Sequence, residues 1–275
     1  MRLGISSSLA HTSPEDWAQK MQALGCRSVV FPVDYTKSDS VIDAYAAAAK
    51  EYDLQIAEVG IWRNALAVKE QERQAAMEYS IGQLKLADRI GARCCVNVIG
   101  STGARWDGAY AENFTPKVWD QAVRMIQEII DTAKPQHTFF TIEPMPWMYP
   151  TSPEEYVKLL EDVKRDAFGV HMDVINMINT PQRYFFPEPF VEHCFELLGD
   201  QIKSCHLKDI LLGQKFTFRL QECACGEGTF CLERYAELAQ KADPEMPMII
   251  EHLHSDKEYI DSVIYIRKRL KKILG

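Results

Sequence analysis

Eight times along this chain a short apolar, β-prone run gives way to a segment of helical periodicity. The strand candidates are Leu3–Ser6, Ser28–Phe31, Leu54–Val59, Arg93–Val98, Thr138–Ile142, Phe168–Asp173, Ile202–His206 and Pro247–Glu251. Spread over 275 residues, that is about 34 residues per strand–helix unit, the size and alternation of a closed (β/α)8 barrel. An open doubly wound sheet would more often carry a glycine-rich phosphate turn after its first strand. Gly4-Ile5-Ser6-Ser7-Ser8 is not such a turn. The expectation is therefore α/β, a TIM barrel, with residues 1–275 as one domain.

The helices carry their own punctuation. Ser13-Pro14-Glu15-Asp16 and Ser152-Pro153-Glu154-Glu155 each combine a cap, a proline in the first turn and early acids. Gly25 and Gly91 follow apolar helical runs and predict their ends. Further helices are predicted over Val41–Tyr52, Glu70–Ile90, Pro116–Thr132, Glu188–Leu198, Leu232–Lys241 and Asp256–Leu274. The stretch from Ile210 to Gly228 is long for a strand-to-helix connection. Within it, Phe216-Thr217-Phe218-Arg219-Leu220 alternates like an exposed strand, which fits a lid or a dimerisation arm carrying Glu222 toward the mouth.

Composition narrows the partners. A net charge of -8 opposes a nucleic-acid surface, which needs a positive stripe over phosphates. Eight cysteines without metal-finger or disulfide-scaffold spacing read as reduced thiols of a cytoplasmic protein. No signal segment is visible, and no apolar run approaches the ~20 residues of a membrane span.

The four later strand candidates end on side chains that can bind a metal: Glu143, Asp173, His206 and Glu251. In a closed parallel barrel all strand C-termini open on one face, where active sites sit. Three carboxylates and one imidazole form a hard, oxygen-rich set. It suits one divalent ion, Mn²⁺ first and Mg²⁺, Co²⁺ or Zn²⁺ as alternatives.

The motifs Ile142-Glu143-Pro144, His171-Met172-Asp173, His206-Leu207-Lys208-Asp209 and Ile250-Glu251-His252 resemble those of the xylose isomerase-like barrel superfamily. That group holds sugar isomerases and epimerases, inosose dehydratases and apurinic endonucleases. The resemblance implies that Glu143, Asp173, His206 and Glu251 are metal ligands and that Glu143 and Glu251 are an acid–base pair. Ketose epimerases commonly have a histidine three residues after the strand-six aspartate, where this chain has Asn176. The His-x-Lys-Asp form, with Gly226-Glu227-Gly228, looks more like the dehydratase and uncharacterised-isomerase branches. The endonucleases draw extra histidines from the middle strands, whereas strands three and four here end near Glu58 and Asn97.

Around the mouth, Lys208 should share the side of His206 and reach a substrate oxygen, or else pair with a carboxylate. His171 should lie one layer deeper. Trp62, Asn97, Trp147, Asn176 and His254 complete the expected substrate-binding set. Aromatic residues in the loops after strands suit a sugar pocket, and equally an interface of a homo-oligomer.

The expected activity is a metal-dependent sugar isomerase or epimerase that abstracts a proton next to a carbonyl through a metal-bound enediolate. The alternatives are a lyase or dehydratase on an inosose-like keto-polyol, and a non-catalytic subunit that binds metal and sugar.

Overall fold

The computed structural model describes residues 1–274. Eight parallel strands form the barrel: β1 (Arg2–Ile5), β2 (Ser28–Val30), β3 (Gln55–Gly60), β4 (Cys94–Asn97), β5 (Phe139–Ile142), β6 (Phe168–Met172), β7 (Ile202–Leu207) and, last in the chain, β10 (Pro247–Ile250). From β2 to β7 each strand pairs with its neighbour in chain order, and β10 joins β7 to β1. The remaining seam, between β1 and β2, is bridged by Arg27 N–H donating to Leu3 O at 2.8 Å and Ser28 Oγ donating to Arg2 O at 2.8 Å. Gly4 is required at this seam, because a Cβ there would lie 2.3 Å from Ser28 O. The barrel is nearly closed.

The helices cover it: α1 (Pro14–Leu24), α2 (Asp39–Glu51), α3 (Glu70–Ile90), α4 (Pro116–Ala133), α5 (Pro153–Val163), α6 (Pro181–Phe185), α7 (Pro187–Leu198), α8 (Leu232–Ala242), α9 (Asp256–Arg269) and α10 (Lys271–Leu274). Ser13, Ser152 and Ser255 cap α1, α5 and α9 by accepting from the backbone N–H three residues on. Gly25 and Gly91 end α1 and α3 in the left-handed conformation. In α4, Val118, Trp119, Ala122, Met125, Ile126, Ile129 and Ile130 form the buried stripe, the spacing of one helical face.

Tyr156 of α5 ties β5 to β6. Its hydroxyl donates to Ile142 O and accepts from the N–H groups of Ile142 and His171, both at 3.2 Å. The two strands that deliver Glu143 and Asp173 are thus held together from behind.

Two expectations need correction. The segment after β7 forms an antiparallel hairpin of β8 (Asp209–Leu212) and β9 (Leu220–Cys223). Phe216 and Phe218 lie in its connection, not in a strand, and Phe216 is fully exposed. The pairing is set by Asp209 and Ile210 facing Cys223 and Glu222, rather than by the aromatic alternation. The C-terminal helix also breaks at Leu270 into α9 and α10. Among the described residues, no helix is long and apolar enough to cross a membrane.

Candidate metal centre

Glu143, Asp173, His206 and Glu251 are buried, and one ligand atom from each lies within 4.8 Å of all the others. They follow or end β5, β6, β7 and β10 at the C-terminal mouth, as the sequence predicts. His206 Nδ1 faces Glu251 Oε2 at 2.8 Å and Glu143 Oε1 at 3.5 Å. It has no aligned hydrogen-bond partner. A buried ring nitrogen without an aligned hydrogen bond, set among carboxylates that need a counter-charge, is the donor set of a divalent-cation site, so these groups fit a metal ion.

Lys208 stands among the same carboxylates. Its Nζ donates to Asp173 Oδ2 at 2.6 Å and Glu251 Oε1 at 2.7 Å, and lies 3.1 Å from Glu222 Oε1. Burial opposes its charge, but Asp173 and Glu251 hold its pKa well above the usual lysine range. Burial pushes the Asp173 carboxyl up to about 7 against the pull of Lys208. Glu251 is held well below the usual range, because His206 and Lys208 outweigh its burial. Burial and Glu251 would raise Glu143, yet His206 keeps it lowered.

Asp173 also shapes the turn that follows it. Its Oδ1 accepts the Asn176 N–H at 3.1 Å, and Asn176 Nδ2 then donates to Glu143 Oε1 at 3.0 Å. Asn176 therefore steadies a carboxylate of the set. Asp209 does structural work in the His-x-Lys-Asp motif. It accepts from the N–H groups of Ile210 and Phe230 at 2.9 Å and Gly226 at 3.0 Å. A Cβ on Gly228 would lie 2.1 Å from Asp209 Oδ1, so the motif and Gly226-Glu227-Gly228 form one packing unit.

Above the four groups opens a cavity of about 590 Å³ whose wall includes Trp147, Asn176, Phe218, Glu222 and His252. Asn176 touches Glu143 from this wall, Glu222 touches Lys208, and His252 Nε2 lies 3.4 Å from Glu251 Oε2. His252 Nδ1 pairs with Glu222 at 2.9 Å. Glu222 is pulled down to about 2, since hydrogen bonding to His252 and the charge of Lys208 outweigh its burial. His252 adopts a left-handed backbone conformation, φ 57°, a strain often found at functional mouths. A larger groove of about 1110 Å³ between α3 and α4 holds none of the strand-end groups.

Three expected mouth residues, Asn97, Trp62 and His254, lie elsewhere, and His171 lies one layer deeper, where the sequence puts it. Asn97 is fully buried, with its amide spent on the backbone N–H and C=O of Arg63. Trp62 folds back on Gly60 and does not line the cavity. His171 is sealed below the mouth, its ring edge-on to His206 at 4.1 Å, and burial followed by His206 lowers its pKa to about 4. His254 is exposed in the loop before α9, where its N–H donates to Glu258. Glu58, near which strand three is expected to end, lies inside β3 (Gln55–Gly60) rather than at the mouth. It is buried within the barrel, 3.3 Å from His206 Nε2.

The xylose isomerase-like TIM barrel family model matches residues 18–269. The chain belongs to that family. Solved structures agree on the fold. A xylose isomerase-like TIM barrel protein from Mycobacterium smegmatis, in complex with magnesium, is 19% identical with TM-score 0.68, over 98% of this chain and 92% of that one. D-psicose 3-epimerase with D-tagatose, from Clostridium cellulolyticum, is 14% identical with TM-score 0.73, over 100% of both chains. Endonuclease IV from Thermus thermophilus is 14% identical with TM-score 0.75, over 99% of this chain and 100% of that one. At these identities the likeness is one of fold. No curated protein matches the chain.

Proposed function

We propose that this protein is a metal-dependent isomerase or epimerase of a small sugar or polyol-derived ketone. The convergence of Glu143, Asp173, His206 and Glu251 within 4.8 Å carries the reading. A divalent ion held by those four residues, Mn²⁺ by preference, would polarise a substrate carbonyl and acidify the neighbouring C–H. Glu143 and Glu251 then share the proton work: one carboxylate removes the proton, and the other returns it. Return on the opposite face inverts the carbon, whereas return to the former carbonyl carbon isomerises the sugar. Asn176 holds Glu143 in place through its 3.0 Å hydrogen bond. Trp147 offers the cavity a ring face against which sugar C–H groups pack.

The epimerase neighbour supports a sugar substrate. Endonuclease IV shares the fold, but a net charge of -8 argues against a nucleic-acid partner here. Lys208 favours a second reading. An ammonium 2.7 Å from Glu251 can protonate a departing β-hydroxyl, which would make the reaction a dehydration.

Solvent deuterium exchange separates the readings. Label entering beside the carbonyl with the substrate otherwise intact marks an isomerase or epimerase, and loss of water marks a dehydratase. Glu143→Gln and Glu251→Gln should each slow turnover by about 10²–10⁴-fold. Full activity in either variant removes that residue from the acid–base pair.

A further inference from the structure

Beneath the four strand-end groups the barrel interior holds a second polar cluster, an unusual place for charge. Glu58 projects inward from β3 and meets Ser204 and His206 of β7 across the barrel axis. Ser204 Oγ donates to Glu58 Oε1, and Glu58 Oε2 lies 3.3 Å from His206 Nε2. Glu58 and Ser204 are 1% and 0% exposed, so neither faces the substrate cavity. His171 Nδ1 approaches Glu58 Oε1 at 3.6 Å without hydrogen bonding.

An ionised carboxylate only accepts hydrogen bonds. The His206 nitrogen that faces Glu58 must therefore carry a proton; Nδ1, set among the mouth carboxylates 2.8 Å from Glu251 Oε2, is then the nitrogen that would give up its proton to bind a cation there. The two faces of the ring are thus assigned by one contact from a strand on the far side of the barrel. Ser204 occupies the other Glu58 oxygen and stops the carboxylate from turning away.

We propose that Glu58, locked by Ser204, is a positioning residue that fixes His206 with Nε2 protonated and Nδ1 presented to the metal. This rests on His206 being a ligand, as the proposed function has it. Partners of this kind orient the ring and raise its basicity, and their loss typically costs about 10–100-fold in metal affinity.

The test uses the full chain, stripped of metal and titrated with Co²⁺. Visible absorption reads affinity, and proton NMR reads the Co²⁺-shifted, exchangeable imidazole N–H of a ligand histidine. The wild type should bind one ion and show one such N–H. Glu58→Gln should bind about 10–100-fold more weakly, with that resonance displaced and exchanging faster while the metal-free melting curve keeps its cooperativity. If Glu58→Gln does not fold, Ser204→Ala should show a smaller loss in the same direction. Wild-type affinity and an unmoved N–H in both variants overturn the positioning role and leave the ligand set standing. Two ions per wild-type chain also overturn it, by assigning Glu58, His171 and His206 to a second cation. No Co²⁺ binding by the wild type overturns the ligand set itself, and the positioning role with it.

Discussion

Lys208 Nζ lies 2.6 Å from Asp173 Oδ2, with both groups sealed from water at 1% side-chain exposure. A buried ammonium thus neutralises carboxylates at the barrel mouth. Removing one partner of a buried pair leaves uncompensated charge, at about 3–5 kcal/mol. Lys208→Met should lower the urea-unfolding stability of metal-free protein by that amount. Added Mn²⁺ should recover more stability in the variant than in the wild type, because the cation takes over the neutralisation. Equal stability in both metal-free proteins would remove Lys208 from the charge balance.

Asp209 pins the loop after the hairpin through the backbone N–H groups of Gly226 and Phe230, and also accepts from Ile210 N–H beside it in β8. Asp209→Ala leaves those donors unpaired, at about 1–3 kcal/mol for each that stays buried. Amide exchange should accelerate over residues 220–230, while β4 and β5 keep their protection. Unchanged exchange in that loop contradicts the pinning.

Much of this arrangement is legible in the sequence, and the reason is local chemistry. Ser13-Pro14 and Ser152-Pro153 announce α1 and α5 because capping is decided within four residues. Strand ends are marked by a polar side chain closing an apolar run, which places Glu143, Asp173, His206 and Glu251 correctly at the mouth. What escapes is set by distant partners or by tertiary override. Glu58 meets His206 across 148 positions, and Asn97 is captured by a backbone 34 positions away. Lys134 and Lys164 end α4 and α5 in left-handed conformations usually left to glycine. The hairpin register follows Asp209 and its loop rather than the Phe216–Leu220 alternation.

All eight cysteines are free. Burial pushes Cys26, Cys194 and Cys205 up to about 12 and the half-exposed Cys223 up to about 11. Thiolate is the reactive form, so raised values mean little of it near neutral pH. A thiol reagent should label native protein slowly and report eight thiols after denaturation without reductant. Fewer than eight would reveal a disulfide.

The central claim is that Glu143, Asp173, His206 and Glu251 hold one divalent ion. Calorimetric titration of metal-stripped protein with Mn²⁺ tests it most directly, alongside Asp173→Asn and His206→Asn. The account predicts one ion per wild-type chain, with binding lost or severely weakened in both variants. No saturable binding by folded wild-type protein, or wild-type affinity in both variants, would contradict it.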